Sequence, residues 1–256
     1  MIKKLLFVFL LLINTLYAEY DRQLDDYTQG RALYEKASIG DVDAQFDLGL
    51  LYRKQVKDYD KAVFWYEKAY KSGSSRAAFN LGNMYDDIKK YDKAEEWYKK
   101  AIDEDIKEAS LNLGLLYKKL QRYDDAIFYY TKAYQQELQQ GANALGYLFE
   151  HNLHNNNKAE QWYKKAVQSN NQKAIGNLAK LYHKQNKTEL GSAYLISLID
   201  NGYSKEKVLA YLKTKWNLTD KEIKQAYQLQ KTLDIPKHYY NPELEVKPIK
   251  KKTSRR

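Results

Sequence analysis

The sequence predicts an all-α protein, a right-handed superhelical solenoid of helix-turn-helix repeats with a C-terminal helical cap. One motif recurs five times along the chain, at spacings of 33, 32, 32 and 33 residues. A second motif follows it, and no strand pattern intervenes. The three prolines all lie beyond the repeats, at positions 236, 242 and 248. Two helical segments in each period of this length are typical of a stacked array of helical hairpins.

The first motif predicts the first helix of each hairpin. It consists of a small residue, a leucine four positions later and an aromatic residue four positions further on, which form one stripe of a helix. The leucines, each with the residue after it, are Leu48-Gly49, Leu81-Gly82, Leu113-Gly114, Leu145-Gly146 and Leu178-Ala179. A glycine within a helix costs about 1 kcal/mol relative to alanine. We therefore expect a neighbouring helix to pass these glycines backbone against backbone, where a Cβ atom would collide.

The second motif predicts the second helix of each hairpin. It reads KAVFWYEKA at residues 61–69, KAEEWYKKA at 93–101, DAIFYYTKA at 125–133 and KAEQWYKKA at 158–166. Its alanines lie seven residues apart and allow two helices to approach closely. The aromatic residues between them, which include Trp65, Trp97 and Trp162, are expected to fill the space between successive hairpins.

The residues of these units resemble two related families. The stretch LGNMYDDIKKYDKAEEWYKKA at residues 81–101 resembles a tetratricopeptide repeat, and the connection AYKSGSSRA at 69–77 is similar to that of Sel1-like repeats. The resemblance covers roughly residues 30–199. It implies a helical solenoid, and it says much less about activity than about fold.

If the units stack as in tetratricopeptide proteins, the first helices line a concave groove that binds a protein or peptide partner. Side chains just before and two positions after each repeated leucine would then point into it. The predicted peptide-binding residues are Asp47, Asn80, Asn83, Asn112, Leu115, Tyr147, Asn177 and Lys180. An asparagine amide can both donate to and accept from a peptide main chain. The alternative is that these are ordinary exposed helix residues.

The chain is expected to divide into four segments. Residues 1–18 have two lysines, an apolar run and a small residue at the end, which is the pattern of a cleaved secretory signal peptide. The solenoid follows over residues 19–200 and the helical cap over 201–242. Residues 243–256 are predicted to be a disordered basic tail. We expect a periplasmic or secreted bacterial protein with no transmembrane segment after cleavage.

Replacing Leu6 and Leu10 by aspartate should keep the protein in the cytosol, because charges interrupt the apolar run that export requires. Fractionation of cells that express the wild-type and the variant chain measures this. Unchanged export of the variant would contradict the signal-peptide prediction.

Two short patterns raise the possibility of chemistry. Residues 204–207 read SKEK, the Ser-x-x-Lys pattern of penicillin-interacting enzymes, and exported Sel1-like proteins of a cysteine-rich branch are associated with β-lactamase activity. This chain has no cysteine and no Lys-Thr-Gly, so Ser204 is better explained as a helix N-cap. His151 and His154 have metal-ligand spacing but no carboxylate cluster beside them. No catalytic residue, metal or cofactor is expected. The resemblance to the cysteine-rich branch leaves one alternative function, that of a β-lactamase, penicillin-binding or peptidoglycan-related hydrolase.

The formal net charge is +10, and residues 243–256 alone contribute +4. The rest of the chain has mixed charge and requires no specific nucleic acid as a partner. A further alternative is attachment of the basic tail to a polyanion or the cell envelope. Partner identity and oligomeric state stay open.

Overall fold

The computed structural model describes residues 29–235, which fold into α-helices joined by short turns. The all-α repeat prediction is confirmed for this part of the chain. The predicted signal peptide, the basic tail and positions 236–242 of the predicted cap lie outside the described residues. Between residues 29 and 235, no helix has the length and apolar character needed to cross a membrane.

The helices are named here in chain order. They are α1 Gly30–Ser38, α2 Val42–Leu51, α3 Tyr59–Lys71, α4 Ser75–Asp87, α5 Tyr91–Asp103, α6 Lys107–Lys119, α7 Tyr123–Gln135, α8 Gln140–His151, α9 Asn156–Gln168, α10 Gln172–Lys184, α11 Thr188–Asp200, α12 Lys205–Lys215 and α13 Asp220–Gln230. The repeated leucines lie on α2, α4, α6, α8 and α10, the first helices. The second motif forms the second helices α3, α5, α7 and α9.

The chain divides into two compact units, residues 1–129 and 130–256, with the boundary inside α7. In the first unit the helices α1 to α6 pack in chain order, each on the one before it. In the second unit α8 packs on α9, α9 on α10 and α10 on α11, and both α12 and α13 contact α11. Each unit therefore buries its apolar stripes between sequential neighbours, as expected of stacked hairpins.

The turn between the two helices of each hairpin contains one residue whose backbone has a positive φ, in the left-handed helical region. These residues are Lys57, Lys89, Gln121, His154 and Asn186, with φ between 51° and 62°. After Lys89, Lys90 closes the turn: its N–H donates to the Tyr85 carbonyl at 2.8 Å. In the first repeat, Tyr52–Val56 form a π turn that holds one additional residue. The Asp58 N–H therefore reaches six residues back, to the Tyr52 carbonyl, at 3.1 Å.

The glycines of the first motif face tyrosine rings. A Cβ atom on Gly49 would lie 2.7 Å from Cδ1 of Tyr66, and one on Gly82 would lie 2.5 Å from Cδ1 of Tyr98. Gly146 meets Tyr163 in the same way. The expectation of backbone contact at these three glycines is therefore wrong: the second helix of the hairpin inserts a buried ring. An aromatic ring in this position buries more apolar area than a direct contact between two helix backbones would.

In the fourth repeat, backbone contact occurs instead one turn earlier, at the small residue that begins the first motif. In the fourth repeat this residue is Gly141, and a Cβ atom there would lie 2.6 Å from the Tyr130 carbonyl oxygen and 2.7 Å from the Tyr134 nitrogen. The other repeats have alanine at this position. The two small positions of the motif thus have different neighbours.

The tryptophans of the second motif contact the preceding helical layer. Trp65 packs edge-on against Tyr34 at a ring-centroid distance of 5.8 Å. Trp97 contacts Tyr70 at 5.1 Å, and Trp162 contacts Tyr134 at 5.7 Å, both nearly perpendicular. Such edge-to-face pairs add to the burial of apolar area.

The two C-terminal helices begin at the predicted caps. Ser204 Oγ accepts from the Lys207 N–H at 3.2 Å. Thr219 and Glu222, which have the sequence spacing of a capping box, form one at the start of α13. Gln230 of α13 donates to the Asp200 carboxylate at 2.9 Å, so α13 covers the end of α11.

Candidate functional site

In the first unit, the predicted groove asparagines bond to one another. Asn83 Oδ1 accepts from Asn112 Nδ2 of the next repeat at 2.8 Å and from the Tyr98 hydroxyl at 2.8 Å. Asn80 donates to the Arg76 carbonyl at 3.0 Å and accepts from Arg53 at 3.5 Å. These amides tie successive first helices together, which leaves fewer of their donors and acceptors for a ligand.

Two cationic side chains on this face of the first unit are also paired. Arg53 lies 2.8 Å from Asp87, and Lys119 lies 2.9 Å from Asp86. Each pair joins one repeat to the next. Leu115, on α6 between Asn112 and Lys119, is 42% exposed.

Asp47 lies on α2, in the repeat before that of Asn80. It lines a cavity of about 370 Å³ together with Leu33, Leu50 and Lys54.

The second unit contains a larger cavity, of about 510 Å³, between α8, α10 and α12. Three of the eight predicted groove residues, Tyr147, Asn177 and Lys180, line it. The full lining is Asn143, Tyr147, Gln172, Lys173, Gly176, Asn177, Lys180, Leu195, Leu198, Tyr203, Lys207, Val208 and Tyr211. This volume is in the range of pockets that bind small ligands or peptide side chains.

One amide pair spans the floor of this cavity. Asn177 Nδ2 donates to Asn143 Oδ1 at 3.0 Å, which joins α10 to α8. Within residues 29–235, the Nδ2 donors of Asn143 and the side-chain carbonyl oxygen of Asn177 have no protein partner. A donor and an acceptor side by side match the N–H and C=O groups of an extended peptide.

Aromatic rings stand at the rim. Tyr147 is 40% exposed and Tyr203 is 45% exposed. The Tyr147 ring stacks on His151 at a centroid distance of 4.1 Å, which fixes its orientation. Rings that are held in place and half exposed lose little conformational entropy on contact with a partner.

A buried carboxylate supports the C-terminal ends of α8 and α10. Glu150 accepts from the Tyr163 hydroxyl at 3.0 Å and lies 2.5 Å from Lys184 Nζ. Burial, and secondarily the Glu150 charge, raises the pKa of Tyr163 above its usual value. Because Glu150 pairs with Lys184 of the next repeat, this contact holds the cavity walls together and offers no acid to a ligand.

The two patterns that raised the possibility of chemistry have structural roles. Ser204 Oγ caps α12 and donates to Glu206 at 2.8 Å, and its role as an N-cap is confirmed. His154 lies in the turn after α8 with φ 51°. Among residues 29–235, no three His, Cys, Asp or Glu side chains are grouped so as to hold a metal ion.

The sequence reading missed the contribution of α12. Tyr203, Lys207, Val208 and Tyr211 form one wall of the cavity, although they lie in the predicted cap. One signal could have found them: a further step of 33 residues from Leu178 reaches Tyr211. The helix α12 therefore occupies the position of one more first helix.

Three family models match parts of the chain. The tetratricopeptide repeat model matches residues 18–77, and the Sel1 repeat model matches residues 139–171. A model described as anaphase-promoting complex, cyclosome, subunit 3 matches residues 55–133. No curated protein matches the chain.

Several solved structures resemble this one. The protective antigen c5321 of uropathogenic Escherichia coli strains, described as displaying an SLR fold, has a TM-score of 0.59 and 24% identity, over 80% of this chain and 48% of that one. This chain thus spans about half the length of c5321. Pseudomonas aeruginosa pilF has a TM-score of 0.56 and 20% identity, over 76% of this chain and 92% of that one. BtubC from P. vanneervenii has a TM-score of 0.56 and 19% identity, over 72% and 94%. At these identities the likeness concerns the fold alone.

Proposed function

We propose that this chain, a Sel1-like and tetratricopeptide repeat protein, is a scaffold that binds a segment of a partner protein in the cavity between α8, α10 and α12. Repeat folds of this kind are commonly protein-interaction scaffolds. The observation that carries the proposal is the coincidence, in one cavity of the second unit, of an incompletely satisfied asparagine pair and half-exposed tyrosines.

Each part of the cavity has a role in recognition. The Asn143 donor and the Asn177 acceptor bond the main chain of the bound segment, and they do so whatever its side chains are. Tyr147 and Tyr203 supply the apolar contact area, and a few such aromatic anchors contribute most of the affinity of a typical interface. The first unit has paired amides and charges on its corresponding face, so the proposed site lies in the second unit.

Replacing Tyr203 and Asn177 together by alanine should weaken binding by about tenfold or more, because one aromatic anchor and one main-chain contact are lost. The measurement uses short synthetic peptides selected from an array for binding to the wild-type chain, with affinities from fluorescence anisotropy. The matched control replaces Phe64 and Phe128 by alanine. These two residues lie on second helices of the first unit and are 57% and 61% exposed. Loss of binding in the control variant only would contradict the proposal and place the binding site outside this cavity.

A further inference from the structure

We infer that the ligand segment carries carboxylate side chains next to apolar ones, so that the cavity of the second unit selects acidic, amphipathic sequences. This inference rests on the proposed function and adds the chemistry of the partner. The inference is drawn from the positive charges that line the cavity and from the lack of acidic side chains among the lining residues.

Three ammonium groups line the cavity, and no acidic side chain does. Lys173 and Lys180 belong to α10, and Lys207 belongs to α12. All three are exposed. None of them lies within salt-bridge distance of a carboxylate among residues 29–235.

Other lysines of the same unit do have partners. Lys164 lies 2.7 Å from Glu160, Lys184 lies 2.5 Å from Glu150, and Lys213 lies 2.6 Å from Asp220. The three lysines that line the cavity, in contrast to these three, therefore have no counter-charge among the described residues. Like charges around one concave surface repel one another and raise the local positive potential, which favours an anionic ligand.

The apolar lining restricts which anion fits. Leu195, Leu198 and Val208 are buried at the cavity walls, and the tyrosines stand around them. A ligand that brought only charge, such as a polyphosphate, would leave this apolar surface in contact with water and gain nothing from it. Glutamate or aspartate placed beside leucine or phenylalanine satisfies both the ammonium groups and the apolar walls.

The test compares three sets of short synthetic peptides on one array. The first set combines aspartate and glutamate with leucine and phenylalanine. The second replaces each acid by its amide, and the third replaces each acid by lysine. We expect the acidic set to bind about tenfold or more tightly than the amide set, and the lysine set not to bind.

Charge reversal then locates the effect. The triple variant Lys173→Glu, Lys180→Glu, Lys207→Glu should lose the preference for the acidic set. The control variant Lys221→Glu, Lys224→Glu, Lys231→Glu makes the same change in net charge with exposed lysines on and just after α13, outside the cavity, and should keep the preference. Circular dichroism checks that both variants retain their helices.

The failures of the two proposals are distinguishable. Equal binding of the acidic and amide sets, with loss on Tyr203→Ala, would overturn the inference about charge and leave the cavity as a peptide site. Equal loss in the two triple variants would show a general effect of net charge and would also overturn it. Binding of anionic lipid vesicles with no binding of any peptide set would overturn both the inference and the proposed function.

Discussion

Replacing Gly82 by alanine is expected to lower the free energy of unfolding by about 1–3 kcal/mol, although alanine is the better helix former. The added Cβ atom would lie 2.5 Å from Cδ1 and 2.6 Å from Cε1 of Tyr98. That ring is 2% exposed, and its hydroxyl is fixed by the 2.8 Å bond to Asn83. The ring therefore has no space into which it can move. Urea denaturation followed by circular dichroism measures the change.

A second glycine provides the matched control. Gly176 also lies within a first helix, α10, but apart from its chain neighbours and its own helix backbone no atom lies within 4 Å of the position of its Cβ. Gly176→Ala should therefore raise stability by up to about 1 kcal/mol, the intrinsic helix-propensity difference. Adding Tyr98→Leu to Gly82→Ala should recover part of the loss, with a coupling energy between the two sites. Equal effects of the Gly82 and Gly176 substitutions, or additive effects of Gly82 and Tyr98, would contradict the ring contact.

The repeat register could be predicted from the sequence because packing positions recur at helical spacing. The fixed interval from a small residue to leucine to an aromatic residue placed each first helix, and the Thr219 and Glu222 pair placed the start of α13. The neighbour of each glycine could not be predicted in this way. Periodicity shows that a side chain is excluded at Gly49 or Gly82, but it does not show whether a backbone or a ring occupies the space.

The candidate site was predicted only in part for a similar reason. The pattern identified Tyr147, Asn177 and Lys180 as residues of one helical face. It could not show that Asn83 and Asn112 bond to each other, because that contact joins residues 29 positions apart on separate helices. It also could not assign α12 to the cavity wall, since this helix has the position of a first helix without its leucine and glycine.

Raising the pH above about 10 should unfold the protein cooperatively, because the tyrosines of the core ionise at lower pH in the unfolded chain than in the folded one. Burial raises the pKa of Tyr66 to about 12, against a smaller opposing effect of Arg53. Burial alone raises the pKa of Tyr130. The fully buried tyrosines are Tyr52, Tyr66, Tyr98, Tyr117, Tyr130, Tyr163 and Tyr182.

The direction follows from the two protonation equilibria. In the unfolded chain a tyrosine loses its proton at its ordinary value of 10.0, whereas Tyr66 in the folded chain keeps its proton up to about 12. The contribution of each such tyrosine to the free energy of unfolding is therefore fully present below pH 10. It is lost as the pH rises from 10 through the pKa of the folded chain. Each such tyrosine removes about 1.4 kcal/mol for each pH unit in that window. Several together exceed the roughly 5–15 kcal/mol of a typical domain within about two units.

Tyr130→Phe separates this effect from general alkaline damage. The Tyr130 hydroxyl is buried, and it has no hydrogen-bond partner among the described residues, so its removal should cost little stability at neutral pH. Because one ionisable group of the core is lost, the midpoint of alkaline unfolding should move to higher pH. Tyrosinate absorbance and circular dichroism, recorded on the same samples, should change together in both proteins. If tyrosinate formed fully near pH 10 while the helices persisted, these rings would be in contact with water, and the packing of tyrosine against glycine in each hairpin would be wrong.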